Sequence, residues 1–343
     1  MKPCNKKTVF IGLLIIITMT SLAGYVIFKQ FDFNEVANAI KQCNILWLIP
    51  ALLCMLAFSM GEAININQGL KLAGYKVGPA NSIKYAFAGF FFSSITPSAS
   101  GGQPAQLYYM SRDKINISHG SFSLLLELIG FEIGSITLGF LGILVSVFSD
   151  IPVFEGSNIV WLAIVGFMVN FILLAVLLII MFSRKAVKVL ACFAIKITSL
   201  FSKKKDSKRS ILRLISEYRL AAIKARNNKK VLFKIILVSL LRLLAYHSIT
   251  FFTYKALGLN SQSYFEIALL QGLLFTSVSC VPLPGSSGAM EGGFGILFKS
   301  IFPSSLLGSA IILTRTINFA VPLIYTGITL LFLPRRKAHS KTE

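Results

Sequence analysis

Apolar stretches alternate along the chain with short segments that are rich in polar and charged residues. Each of the longer stretches offers the roughly 20 apolar residues that a helix needs to cross a bilayer. None of them shows the alternation of apolar and polar positions that is typical of barrel strands. The pattern therefore predicts an all-α polytopic membrane protein with six full spans, at about residues 9–28, 45–69, 119–148, 158–182, 231–257 and 304–333.

Two further apolar stretches, at about residues 82–97 and 264–281, are shorter and end in clusters of glycine and proline. The first runs into ITPSASGGQPAQ (95–106) and the second into VPLPGSSGAMEGGFG (281–295). Proline removes a helix donor and glycine permits non-helical backbone, so each cluster predicts a broken helix. Irregular backbone at membrane depth persists only where it is buried in protein or lines a polar cavity.

The charge distribution predicts how the chain is oriented. Basic residues precede the first span and follow the second and the last: Lys2, Lys6, Lys7, Lys71, Lys76, Lys84, Arg335, Arg336 and Lys337. The loop 149–158 carries Asp150 and Glu155 but no lysine or arginine, whereas the segment 184–230 is strongly basic. Cytoplasmic loops carry such an excess of cations, so we expect a multi-pass protein of the cell membrane with both termini in the cytoplasm.

The same distribution explains a net charge of +21 without nucleic acid as a partner. The cations lie in connecting segments, where anionic lipid on the cytoplasmic face attracts them. Within the basic segment 184–230, apolar residues are interspersed in a pattern compatible with an amphipathic helix on the inner leaflet. Capture of anionic lipid is one interpretation of that segment, and a simple topology signal is the one we favour.

Counting the spans places the two interrupted segments on opposite faces of the membrane. A re-entrant pair of half-helices at each place satisfies the count, and so does a pair of full crossings. Two corresponding interrupted segments of opposite orientation are typical of an inverted repeat, whose broken helices meet near the bilayer midplane. Both arrangements stay open at this level.

The first break is a candidate anion site. Its second half-helix restarts at Gln103-Pro104, and free N–H groups at a helix N-terminus attract a phosphate. An ordinary surface loop is the alternative. The residues of this candidate site are Thr96, Ser98, Gly101, Gly102 and Gln103.

The second break differs from the first because it contains a charged residue. Gly285 and Gly288 permit a bend, and Glu291 follows among further glycines. Arg315 is the deepest cation of the last span, so it either pairs with Glu291 or meets a lipid phosphate. Ionisable residues inside spans are costly, which makes further members of this class functional candidates: Glu62, Glu127, Glu132, Arg242 and His247.

The sequence predicts no cofactor and no metal. The three histidines, His119, His247 and His339, share no ligand spacing, and the five cysteines are scattered without a CxxC pair. Nucleophile-elbow and phosphate-loop motifs are missing from the sequence as well.

The two breaks, in this order, resemble the membrane domain of the lysylphosphatidylglycerol synthase family, a flippase-like domain. The matching stretches are ITPSASGGQPAQLYYMSRDKI (95–115) and VPLPGSSGAMEGGFGILF (281–298), with Arg315 in the final helix. The resemblance implies a translocase that moves aminoacylated phosphatidylglycerol from the inner to the outer leaflet, which reduces the attraction of cationic antimicrobial peptides. Gln106 stands where relatives often have arginine, so the resemblance makes Arg112 the alternative phosphate contact.

The resemblance also sets the expected domain organisation and its alternatives. We expect a flippase-like domain over residues 1–334 and a basic cytoplasmic tail over 335–343, without the cytosolic lysyl-transfer domain of full-length synthases. The leading hypothesis is a translocase of an anionic or aminoacylated phospholipid, not catalytic alone. The alternatives are a phosphatidylglycerol lysyltransferase and a noncatalytic membrane partner of a separate synthase.

Overall fold

The computed structural model describes residues 33–96, 99–149, 158–183, 218, 220–279, 281, 286, 288–332 and 339–340. These residues are almost entirely helical. The helices are α1 (Phe33–Gln42), α2 (Leu48–Leu72), α3 (Pro79–Ser94), α4 (Gly102–Arg112), α5 (Ile117–Phe148), α6 (Asn158–Phe182), α7 (Lys229–Ala256), α8 (Tyr264–Val278), α9 (Ala289–Leu297), α10 (Ser304–Arg315) and α11 (Val321–Phe332).

Several short elements complete the described chain. A 3-10 turn over Ile45–Trp47 leads into α2, and a π-helical turn over Thr316–Ala320 joins α10 to α11. Strand β1 (Tyr75–Lys76) pairs antiparallel with strand β2 (His339–Ser340). A further helical run covers residues 220–227.

The predicted all-α membrane class is confirmed. Within the described residues, five helical segments are long and apolar enough to cross a bilayer, and each coincides with a predicted span: Ile45–Leu72, Ile117–Phe148, Val160–Phe182, Lys229–Ala256 and Ser304–Leu330. The sixth predicted span, at 9–28, lies outside the described residues. Most of the basic segment, residues 184–217 and 219, also lies outside them.

The interrupted segments form pairs of short helices. The first pair, α3 and α4, has 16 and 11 residues, and the second, α8 and α9, has 15 and 9. At 1.5 Å per residue these helices are about 24, 17, 23 and 14 Å long, shorter than a hydrocarbon core of about 30 Å. The lengths favour re-entrant half-helices over two full crossings at each place.

The centre of the bundle is formed by α2, α5 and α7, with α8 packed along α5. Glycines bring these helices close together, as small residues do in membrane bundles. A β-carbon on Gly61 would lie 2.7 Å from the β-carbon of Arg242, and one on Gly134 would lie 2.9 Å from Leu243. By contrast, α6 exposes much of its apolar surface, including Trp161, as expected of a helix that faces lipid.

Candidate functional site

The second break is organised by the carboxylate of Glu291. Gly288 has a φ of 85°, and α9 begins at the next residue. Glu291 Oε2 accepts the Gly288 N–H at 2.5 Å, which caps the helix from within its first turn. Glu291 Oε1 accepts a hydrogen bond from Arg315 Nε at 2.6 Å. One carboxylate therefore holds both the N-terminus of α9 and the C-terminus of α10.

Arg315 lies where the last span departs from regular helix. It ends α10 and is followed by the π-helical turn Thr316–Ala320. Its guanidinium carbon lies 4.9 Å from the ring centroid of Phe319, within range of a cation–π contact. The Arg315 and Glu291 side chains are 12% and 10% exposed, so the pair is largely desolvated. A π-helical turn inside an α-helix frequently marks a functional position.

A small water-sized cavity adjoins this ion pair. Three of its polar atoms, Gln271 Oε1, Thr314 Oγ1 and Asn318 Oδ1, have no hydrogen-bond partner among the residues that the structure describes. Buried polar atoms are nearly always paired with protein or water, so this cavity is suited to a polar guest. Its lining residues are Gln271, Met290, Glu291, Phe294, Ile311, Thr314, Arg315 and Asn318.

Thr96 connects the two sides of the first break by hydrogen bonds. Its Oγ1 donates to the carbonyl oxygen of Phe92 at 2.6 Å and accepts the Gly101 N–H at 2.8 Å. Ala99 takes a positive φ of 53°, and its carbonyl oxygen accepts a hydrogen bond from Ser93 Oγ at 3.3 Å. The hydroxyl of Thr96 is thus engaged in shaping the turn. The helix that restarts at Gly102 directs its N-terminus towards this turn.

Glycine is required at the first break for close approach. A β-carbon on Gly101 would lie 2.6 Å from Thr96 Cγ2 and 3.1 Å from the carbonyl oxygen of Phe92. A β-carbon on Gly102 would lie 2.9 Å from the carbonyl oxygen of Gly89. The half-helices α3 and α4 can therefore pack together only because both positions lack side chains.

The structure separates the predicted site residues into two groups. Gly288, Glu291 and Arg315 form one group, and Thr96, Gly101, Gly102 and Gln103 lie together at the other break. Arg112 belongs to neither group, because it lies at the far end of α4, about 15 Å along the helix from Gly102. Its Nη1 donates to Tyr108 Oη at 3.2 Å. Ser98 and Gly285 lie outside the described residues.

The two interrupted segments contact different parts of the last span. Arg315 holds the second break, whereas α3 packs against α11 ten residues further on. There the rings of Phe87 and Tyr325 lie 5.3 Å apart, and Tyr325 Oη shares a 2.7 Å hydrogen bond with Ser59 Oγ.

The first interrupted hairpin, formed by α3 and α4, is held by a buried salt bridge that the sequence does not predict. Lys84 Nζ lies 2.5 Å from Asp113 Oδ2, which also accepts a 2.7 Å hydrogen bond from Tyr85 Oη. The charge pattern places Lys84 among the basic residues that follow the second span, but its side chain is only 6% exposed. The local sequence offers no signal for this pairing, because Asp113 comes 29 residues later.

A second feature that the sequence does not predict is a network that joins four helices. Arg242 on α7 forms ion pairs with Glu62 on α2 and with Glu127 on α5. Gln106 on α4 donates to Glu62 Oε1 at 2.8 Å. The sequence marked the charged members singly as costly residues inside spans, but their partners are separated by more than a hundred positions.

A sequence model of the family described as the lysylphosphatidylglycerol synthase TM region matches residues 9–325. The chain belongs to this family. The match includes both breaks together with Glu291 and Arg315. A curated relative, a UPF0104 membrane protein from Archaeoglobus fulgidus, is 27% identical over 323 residues, which are 93% of this chain and 95% of the relative. The protein is therefore a multi-pass member of the family's membrane region, as the resemblance predicted.

Among the described residues of this family member, no group of three histidine, cysteine or acidic side chains is arranged to hold a metal ion. The chemistry of the described site is instead that of a desolvated carboxylate–guanidinium pair beside unpaired oxygen acceptors. In such a site an incoming anion can replace the carboxylate at the guanidinium, which leaves Glu291 without its counter-charge.

Proposed function

We propose that this protein is a lipid translocase that moves an anionic or aminoacylated phospholipid, such as lysylphosphatidylglycerol, between the leaflets of the cell membrane. The observation that carries the proposal is the Glu291–Arg315 pair. It is buried at a helix break beside a small water-sized cavity, in a chain whose long helices match the thickness of a bilayer. A lipid phosphate is a bidentate acceptor of the kind that arginine binds best.

In this mechanism the phosphate competes with Glu291 for Arg315. The guanidinium exchanges a carboxylate for a phosphate, so it remains paired throughout. Glu291 then holds α9 only through the Gly288 N–H, which frees α9 to move relative to α10. The acyl chains stay in the surrounding hydrocarbon.

The first break supplies the second anion contact of the proposal. Gly102 and Gln103 form the N-terminal turn of α4, where the helix dipole favours a negative group. Thr96 shapes this turn and so positions the N–H groups. The sequence motifs add Ser98 and Gly285 to the proposed contacts, whereas Arg112, at the far end of α4, is not among them.

The proposal is tested with purified protein in liposomes. Lysylphosphatidylglycerol, phosphatidylglycerol and a labelled polyprenyl phosphate are supplied in turn, and exchange between the leaflets is measured. We expect lipid-selective exchange that is lost in Glu291→Gln and in Gly101→Leu. Glu266→Gln is the matched control, because Glu266 is a surface carboxylate whose capping role glutamine retains.

Absence of exchange for every lipid, with folding confirmed by the unfolding transition of each variant, would contradict the translocase. Formation of lysyl-lipid in a host that lacks it would support the lysyltransferase instead. Co-purification of a synthase, lost when residues 203–209 are neutralised, would support the noncatalytic partner.

A further inference from the structure

Arg242 lies at the centre of a buried cluster that the proposed lipid site does not use. Its Nη1 lies 3.4 Å from Glu62 Oε2, and its Nη2 contacts Glu127 Oε1 more closely. The rings of Phe58 and Phe131 flank the guanidinium, with centroids 5.0 and 5.2 Å from its central carbon. The Arg242 side chain is only 3% exposed, so water contributes little to solvating these charges.

A third carboxyl group adds to the negative charge. Glu132 follows Glu127 on α5, is 5% exposed, and lies close enough to Glu127 for two charges to repel. Its Oε2 has no hydrogen-bond partner within the described part of the chain, and the same is true of Arg242 Nε. We refer to Glu62, Glu127, Glu132 and Arg242 as the carboxyl cluster.

The charges of the carboxyl cluster do not balance. Three ionised carboxylates around one guanidinium would leave two uncompensated negative charges at membrane depth. Arg242 is the only described cation that forms an ion pair with them. Other titratable groups on the packed helices include Tyr246, His247 and Tyr325, together with the Lys84–Asp113 and Glu291–Arg315 pairs.

None of these neighbours can supply the missing positive charge. Lys84 and Arg315 are each engaged with a carboxylate of their own. His247 is fully buried, and neither ring nitrogen has a hydrogen-bond partner among the described residues, so an imidazolium would be unsupported there. An isolated buried carboxylate costs several kcal/mol or more and is neutralised by binding a proton.

We propose that the carboxyl cluster is a proton-binding site, with Glu62 as the group that takes up a proton from water and releases it again. Glu62 has the weaker contact with Arg242, at 3.4 Å, and its side chain is the more exposed of the two paired carboxylates, at 15% against 10% for Glu127. The reaction is protonation of a carboxylate oxygen, with the proton supplied by the aqueous phase.

The cluster is connected to the first interrupted hairpin. Gln106 on α4 donates to Glu62 Oε1 at 2.8 Å, and Gly89 on α3 leaves room for both side chains. A β-carbon on Gly89 would lie 2.7 Å from Gln106 Cδ and 3.0 Å from Glu62 Oε1. A hydrogen bond to an ionised carboxylate is roughly twice as strong as one between neutral groups. Protonation of Glu62 therefore weakens the hydrogen bond that Gln106 on α4 donates to it. Movement of the hairpin is thereby coupled to the proton.

The proton site itself is tested without any transport assay. Infrared spectra of the whole protein in liposomes are recorded over a range of pH, following the carbonyl stretch of protonated carboxylic acids. We expect a band that titrates in the wild type, loses part of its amplitude in Glu62→Gln, and remains unchanged in the surface control Glu266→Gln. Gln106→Ala should keep the band but displace its midpoint, and it provides a second test if Glu62→Gln does not fold.

A band that persists unchanged in Glu62→Gln, or one that Gln106→Ala leaves in place, would overturn the assignment. The same holds if no protonated carboxyl is detected at any pH.

Coupling to lipid movement rests on the proposed function and is tested separately. A pH gradient is imposed across the liposomes while lipid exchange is measured. We expect the gradient to change the exchange rate in the wild type and to have no effect in Glu62→Gln. If the gradient leaves the exchange rate unchanged in both proteins, the coupling is overturned but the proposed translocase activity is not. A titrating band without any lipid exchange would contradict the proposed translocase activity but support the proton-binding site.

Discussion

Arg315 Nε and Glu291 Oε1 lie 2.6 Å apart although 24 residues separate them in the chain. The second oxygen of the same carboxylate accepts the Gly288 N–H at 2.5 Å. Both oxygens of Glu291 are therefore engaged on opposite sides, one by a backbone donor and one by a guanidinium. Glu291 therefore connects the second break to the last span.

Glu291→Gln should lower the stability of the protein substantially. It leaves Arg315 buried with a weaker, neutral acceptor, and breaking a buried ion pair costs about 3–5 kcal/mol. The free energy of unfolding in detergent micelles measures the effect. The double variant Glu291→Gln with Arg315→Gln should lose less than the sum of the single variants, because neither charge is then left alone. Additive losses would show that the two side chains are not energetically coupled.

Gly89→Ala should disrupt the contact between the first hairpin and α2. The added methyl group would lie within 2.7 Å of Gln106 Cδ, so Gln106 must leave Glu62. Overpacking of this kind costs about 1–3 kcal/mol. The matched control is Gly292→Ala on α9, where the structure has no atom within 4 Å of the added carbon. Equal unfolding free energies for the two variants would contradict the close approach at Gly89.

Asp113→Asn should be more harmful than Tyr85→Phe. Asp113 neutralises Lys84, whose side chain is 6% exposed, so the asparagine variant leaves a buried ammonium without a counter-charge. Tyr85→Phe removes one 2.7 Å hydrogen bond to the same carboxylate, a loss of about 1.5–3 kcal/mol. Thermal unfolding of both variants gives the order, and the reverse order would rule out Lys84–Asp113 as the stronger contact.

Ser263→Ala should weaken the start of α8 by about 1 kcal/mol. Ser263 Oγ accepts the Glu266 N–H at 3.3 Å, and Glu266 Oε2 accepts the Ser263 N–H at 2.7 Å. Glu266→Gln keeps a side-chain acceptor at that position and should change little. Hydrogen exchange of the first-turn amides of α8 reports the effect locally, and unchanged exchange in Ser263→Ala would show that the cap contributes nothing.

The breaks in the membrane helices could be predicted from sequence because their causes are local. Proline ends a helix and glycine permits the turn wherever they occur, so ITPSASGGQPAQ and VPLPGSSGAMEGGFG marked both positions. The partners of the buried charges could not be predicted in this way. Lys84 was indistinguishable from the loop lysines near it, since only the fold brings Asp113 to its side chain.

The sequence by itself determined that the protein is embedded in a bilayer and how long its helices are. Hydropathy is a property of each residue, and a helix that crosses a bilayer requires a minimum apolar length. It also identified the costly ionisable residues. Only the tertiary structure decided which charges meet: Glu62 and Arg242 are 180 residues apart and lie on different helices. Pairing depends on how helices pack, and packing is set by many weak contacts and close-fitting glycines that no local pattern encodes.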